Sequence, residues 1–118
     1  MAKENIVIQK SYTFALRIIK LYKYLTESQK EYVLSKQVLR SGTAIGALLS
    51  ELVYAQSKAD FINKANIALK EANETAYWLS LLKDSEYITI DSYNSIFTDC
   101  NELIKLLVAI VKTSKNNQ

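Results

Sequence analysis

The sequence predicts an all-α fold, an antiparallel up-down-up-down four-helix bundle in a single domain covering residues 1–118. Three observations predict it. The chain has no proline and only two glycines, Gly42 and Gly46, so nothing in its composition breaks long helices. Apolar side chains recur with the helical period in four successive segments. Helix-start patterns, a serine followed three residues later by an acid, fall between those segments and leave only short links.

In the first segment, Val7, Ile8, Phe14, Ala15, Ile18, Ile19, Leu21, Tyr22 and Leu25 share one broad arc, predicting a helix over roughly Asn5 to Leu25. Ser28 followed by Glu31 predicts the start of the second helix. Its stripe is Leu34, Val38, Ile45, Leu49 and Leu52, and it is expected to run to about Gln56. Ser57 followed by Asp60 starts the third, Lys58 to about Ser85, with the stripe Phe61, Ala65, Ala68, Ala72, Thr75, Leu79 and Leu82. The small residues in mid-stripe invite close approach of another backbone. Asp91 is the expected cap of the fourth helix, which carries Tyr93, Ile96, Phe97, Cys100, Leu103, Ile104, Leu107, Ile110 and Val111 before a polar tail.

Composition excludes several kinds of chemistry. There is no histidine, which removes the usual general base, hydrolase triads and most transition-metal sites. Two glycines allow neither a Walker loop nor a Rossmann fingerprint. The single cysteine, Cys100, excludes an internal disulfide framework and falls on an apolar stripe, as an inert buried thiol does. The N-terminal MAKENIVIQKS lacks signal-peptide features, and Leu103 to Val111 is too short and too charged to span a bilayer. The expectation is a cytoplasmic protein with no membrane role, no cofactor, no metal and no evident small-molecule substrate.

Three constellations remain as candidate sites. Arg40 and Glu51 lie about 20° apart around a continuous second helix, while Glu71, Glu74 and Trp78 share a flank of the third. These five are expected to form a structural network within the bundle or across a subunit boundary. Acid–base catalysis by Glu71 and Glu74 is the competing possibility, and it would require a concave pocket and a carboxylate of raised pKa. The second constellation is a basic stripe, Lys3, Lys10, Arg17 and Lys20, within a chain of formal net charge +3. Residues 1–25 hold five positive charges against one negative, and the rest of the chain sums to −1. The stripe is either ordinary solvation or, repeated around an oligomer, a surface for phosphates. Third, the apolar arcs of the first and fourth helices, roughly 200° each, exceed the stripe of about 100° that one core requires. Snorkelling tyrosines account for part of this, and a second buried face, self-association, for the rest.

Two blocks carry a family resemblance. The first is Gln37–Val38–Leu39–Arg40–Ser41–Gly42–Thr43–Ala44–Ile45–Gly46–Ala47, with Glu51 after it. The second runs from Ala55–Gln56–Ser57–Lys58–Ala59–Asp60–Phe61 through Ile67–Ala68–Leu69–Lys70–Glu71–Ala72 to Glu74–Thr75 and Tyr77–Trp78–Leu79. Together they resemble the bacterial four-helix-bundle proteins encoded in intervening sequences of 23S ribosomal RNA genes, labelled ribosomal-protein-like. The resemblance implies a ring-shaped homo-oligomer, a pentamer, without enzymatic activity. It also implies similarity to the accessory variability protein of diversity-generating retroelements, which binds nucleic acid and a reverse transcriptase through a basic outer surface. Two positions depart from the family pattern, Leu48 in place of Asn and Asn73 in place of Arg, and both remove groups that would serve either a polar network or an RNA contact. The function expected is therefore a non-enzymatic homo-oligomeric scaffold binding RNA, DNA or a nucleoprotein through a basic outer surface, with Lys3, Lys10, Arg17 and Lys20 as the candidate phosphate contacts. The alternative is a protein–protein interaction module with no nucleic-acid role.

Overall fold

Apolar periodicity closes into four helices in a computed structural model that describes residues 2–116, with side chains described from Asn5 onward. They are α1 (Ala2–Glu27), α2 (Leu34–Leu49), α3 (Lys58–Asp84) and α4 (Ile90–Asn116), with a single 3-10 turn at Leu52–Tyr54 after α2. Each helix packs on the next in sequence and α1 meets α4 to close the bundle, along its loosest seam. This is the up-down-up-down topology predicted. The molecule measures 47 × 21 × 19 Å, the proportions of aligned helices of 26 or 27 residues.

The core is built from Phe14, Ile18 and Leu25 of α1, Ile45 and Leu49 of α2, Leu79 and Leu82 of α3, and Leu103 and Leu107 of α4, all fully buried. Each contributes about 1.5–3 kcal/mol by leaving water. Small residues set how closely the helices approach. Gly42 faces Ile18 and Gly46 faces Ser11 across the α1–α2 seam, while Cys100 Sγ lies 3.4 Å from the Ala72 carbonyl oxygen across α3–α4.

Helix ends differ from expectation in three places. The Ser28–Glu31 pattern does not start α2. Lys30 takes a left-handed conformation (φ 55°) and ends α1, with Ser28 N donating to Tyr24 O at 2.9 Å. The buried Glu31 carboxylate then accepts from the backbone of Val33 (3.2 Å), Leu34 (3.0 Å) and Ser35 (2.7 Å), so the acid, not the serine, caps α2. Helix α2 also stops at Leu49, short of Gln56, as Glu51 N and Ala55 N turn to carbonyls three residues back. At α4, Thr89 Oγ1 accepts from Ser92 N at 3.0 Å; Thr89, not Asp91, is the cap, and Asp91 sits in the first turn. The Ser57–Asp60 box forms as predicted. Ser57 Oγ accepts from Asp60 N at 3.1 Å and Asp60 accepts from Gln56 N at 2.9 Å. On α3, Ile62 rather than Phe61 is buried; Phe61 turns to the end of the bundle.

Candidate functional site

Four of the five network residues meet on the α2–α3 seam. Arg40 Nη1 lies 3.3 Å from Glu71 Oε1, and Nη2 hydrogen-bonds Glu74 Oε2. Trp78 Nε1 donates to the same oxygen at 3.0 Å, held one helical turn along α3. Beneath the clasp, the buried Thr75 and Ser41 hydroxyls are 2.9 Å apart. The indole N–H is the foremost influence holding the Glu74 carboxyl below the usual carboxylate range; burial opposes it and Arg40 adds to it. Arg40 is pushed up, chiefly by its bond to Glu74. A carboxylate kept ionised this way is the reverse of a proton donor poised near neutrality. Here it joins α3 to Arg40 of α2.

Glu51 stands apart. With α2 ending at Leu49, the eleven-residue spacing to Arg40 no longer follows one helix, and Glu51 instead accepts from Lys64 Nζ at 3.2 Å, with Asp60 3.7 Å from the same nitrogen. The Glu51 bond, followed by Asp60, raises the Lys64 ammonium above its ordinary range.

The basic stripe meets an acidic edge that the sequence reading missed. Lys10 Nζ lies 3.3 Å from Glu102 Oε2, and Arg17 Nη1 lies 2.7 Å from Asp99 Oδ2. Arg17 also donates to Ser95 O (3.2 Å) and Ser95 Oγ (2.9 Å). Lys20 is exposed, above a shallow groove of about 550 Å3 that Arg17 and Asp91 also line. The Lys3 side chain lies outside the described residues. The available signal was the spacing Ser95, Asp99, Glu102 on one face of α4, complementary to Lys10 and Arg17 once the topology sets α1 beside α4.

On the other flank of α1, Tyr12 (68% exposed), Leu16 (49%) and Ile19 (37%) form an outward apolar stripe that the exposed Lys20 and Lys23 close one turn on. The half-buried Ile8, Ala15 and Tyr22 border it, and α2 continues the surface with Leu39 and Thr43, beside the two glycines. The two aromatics Tyr77 and Trp78 pack edge to face at 5.1 Å on the α3 side.

Among the described residues no group of three or more Cys, Asp or Glu is placed to hold a metal ion. Nor is any helix among them long and apolar enough to cross a membrane. A concavity of about 640 Å3 lies at one end of the bundle, lined by Ile8, Leu52, Val53 and Phe61 with Asn5 and Lys58 among its polar groups. None of the predicted site residues whose side chains are described lines it. Burial pushes the Cys100 thiol up to about 12, too high for a nucleophile at neutral pH.

These features define a class of protein: a closed antiparallel four-helix bundle, with an Arg–carboxylate clasp between its second and third helices and an exposed apolar stripe on its first. Within that class the chain belongs to the 23S rRNA-intervening sequence protein family, whose model matches residues 3–109. It is similar to a protein of unknown function from the S23 ribosomal protein family of Bacteroides thetaiotaomicron VPI-5482, known from a crystal structure at 1.70 Å resolution. The two are 61% identical with a TM-score of 0.92, the match covering 93% of this chain and 98% of that one. No curated protein matches the chain.

Proposed function

We propose that the protein is a non-enzymatic helical scaffold that self-associates through the α1–α2 face and presents the rest of its surface to RNA or DNA. The observation that carries the reading is the Tyr12–Leu16–Ile19 stripe, exposed and uncharged on a helix whose opposite side already fills the core. Large apolar side chains in line on one helix are what a subunit interface buries. A ring of five is the arrangement the family resemblance implies, and the net charge of +3 would then be multiplied by the copy number.

Light scattering tests the assembly. The wild type is expected as a defined oligomer, and Leu16→Lys as a monomer of unchanged helicity; a monomeric wild type overturns the proposal. A second reading, a protein-interaction platform without nucleic acid, gains from the pairing of Lys10 and Arg17 with α4, which takes two of the four stripe cations out of play. Salt separates the two readings. Phosphate contacts weaken steeply between low and moderate salt, whereas an apolar protein interface barely responds.

A further inference from the structure

Six carboxylates of this bundle meet cations on its seams. Glu71 and Glu74 go to Arg40, Glu51 and Asp60 to Lys64, Asp99 to Arg17 and Glu102 to Lys10. Lys20, Lys23, Lys30, Lys36 and Lys70 are left without an ion pair among the described residues, and so is a group of lysines at the far end of the bundle's α3–α4 side. From Leu103 to Gln118 the chain carries Lys105, Lys112 and Lys115 and no acidic side chain. All three are exposed, and none is ion-paired among the described residues. Lys105 and Lys112 are seven residues apart and so lie within about 20° of each other along α4.

Helix α3 adds a fourth cation. The contacts of Cys100 with Ala72 and of Ser80 with Tyr93 fix α3 and α4 antiparallel in a register that sets Lys58 opposite the last turn of α4. In agreement with that register, Lys58 lines the same concavity as Thr113 and Ser114. Lys58 is the first residue of α3, where the helix dipole favours an anion and a cation is unfavourable. Lys115 complements the dipole at the end of α4, but Lys105 is too far from that end to feel it and Lys58 works against its own helix. Helix stability therefore does not account for this cluster.

We propose that Lys58, Lys105, Lys112 and Lys115 form a contact surface for the phosphate backbone of a nucleic acid, on α3 and α4, with the Glu102–Lys10 pair one turn before Lys105 marking its edge toward the α1 stripe. The inference rests on the nucleic-acid reading above and assigns its site. Recognition is by charge: four lysines on two rigid helices meet phosphates, and none of the four can read a base edge bidentately in the manner of arginine. Binding is therefore expected to be independent of sequence.

The test is fluorescence anisotropy with a mixed-sequence single-stranded RNA and the DNA of the same sequence, titrated from 50 to 200 mM salt. Four phosphate contacts per chain give a log–log salt slope near −3 for a single strand, or an affinity loss of about 50-fold across that range. The K58Q/K105Q/K112Q/K115Q variant is expected to keep its melting temperature, bind both probes far more weakly and lose most of the slope. A K10Q/R17Q/K20Q variant is expected to bind like the wild type. Loss of binding in the α1 variant with retention in the α3–α4 variant overturns the inference and leaves the nucleic-acid reading intact. A wild type that binds neither probe at 50 mM salt overturns that reading itself, as does one that binds only phosphatidylserine vesicles.

Discussion

Gly42→Ala asks whether the α1–α2 approach is set where the structure sets it. A Cβ at position 42 would lie 2.8 Å from Ile18 Cγ1, 2.9 Å from Cγ2 and 3.0 Å from Cδ1. Comfortable carbon contacts are about 3.5–4.0 Å. Ile18 is fully buried and β-branched, so its two γ carbons move together and neither can swing away alone. Replacing a helical glycine by alanine contributes about 1 kcal/mol, and overpacking a filled site costs about 1–3 kcal/mol. The net expectation is a loss of about 1 kcal/mol, or about 4 °C in melting temperature for a chain of this size. Gly46→Ala is the internal control. Its nearest neighbour is Ser11 O at 3.3 Å, a small adjustment that the helix-propensity gain offsets, leaving stability within about 0.5 kcal/mol of wild type.

A double-mutant cycle isolates the contact. Ile18→Ala removes all three crowding atoms, so Gly42→Ala in that background should stabilise by its propensity gain alone. The coupling between the positions is then about 2 kcal/mol. Urea melts followed by far-UV circular dichroism, at one protein concentration, measure it. If Gly42→Ala raises the midpoint in the wild-type background, or the coupling is under about 0.5 kcal/mol, the two helices are not held apart by this contact and the reasoning fails.

Glu31 gives a pH dependence. Burial acts to raise its carboxyl, but hydrogen bonds from Leu34, Ser35 and Val33 outweigh it and hold the folded pKa below the ordinary value of 4.5. Its stabilisation is therefore complete above the unfolded pKa and is lost as pH falls through the folded one. Thermal melts should show Glu31→Gln costing about 1–2 kcal/mol at pH 7 and flattening the acid-side decline below about pH 4.5. Glu86 ends α3 at φ 66°, with Tyr87 N donating to Leu82 O and Glu86 N to Lys83 O, a left-handed stop that suits glycine. Glu86→Gly should raise stability by about 0.5–1 kcal/mol in the same melts. Arg40→Met should cost about 1 kcal/mol and shift the emission of Trp78, the only tryptophan, by freeing the Glu74 carboxylate beside the indole. Cys100 should resist a thiol reagent at pH 8 in the folded protein and react at once in denaturant.

What was legible in the sequence was what depends on neighbours along the chain. Helical period located all four helices, and the Ser57–Asp60 box formed because residues 57–60 alone settle its geometry. The same pattern at Ser28 and Glu31 failed because α1 continues through Glu27 and reverses at Lys30, which puts the glutamate where a cap is needed. The clasp residues were legible because Arg40, Glu71, Glu74 and Trp78 face one seam between adjacent helices. Glu51 was misplaced by one unbroken-helix assumption. The basic stripe was the harder case. Lys10 and Arg17 look free along α1, and only the closing of α1 on α4 brings Glu102 and Asp99 to them. Charge along one helix is a local fact, whereas charge left over after pairing is a property of the fold.

That distinction bears on how the two proposals act together. In an up-down bundle of sequentially packed helices, the α1–α2 pair lies across the core from α3–α4. A subunit that buries Tyr12, Leu16 and Ile19 against a copy of itself therefore turns Lys58, Lys105 and Lys112 outward. Each chain then contributes one lysine surface to a common periphery, and a nucleic acid long enough to reach two subunits gains through effective concentration rather than through any new contact. Leu16→Lys separates the terms, since it breaks the apolar face while adding positive charge. If charge alone governed binding, that variant would bind every probe at least as tightly as wild type. If assembly multiplies the lysine surface, its affinity for an oligonucleotide spanning one subunit should hold while that for a long one falls at least tenfold. Equal affinities for the long probe would show that assembly and nucleic-acid binding are independent properties of the bundle.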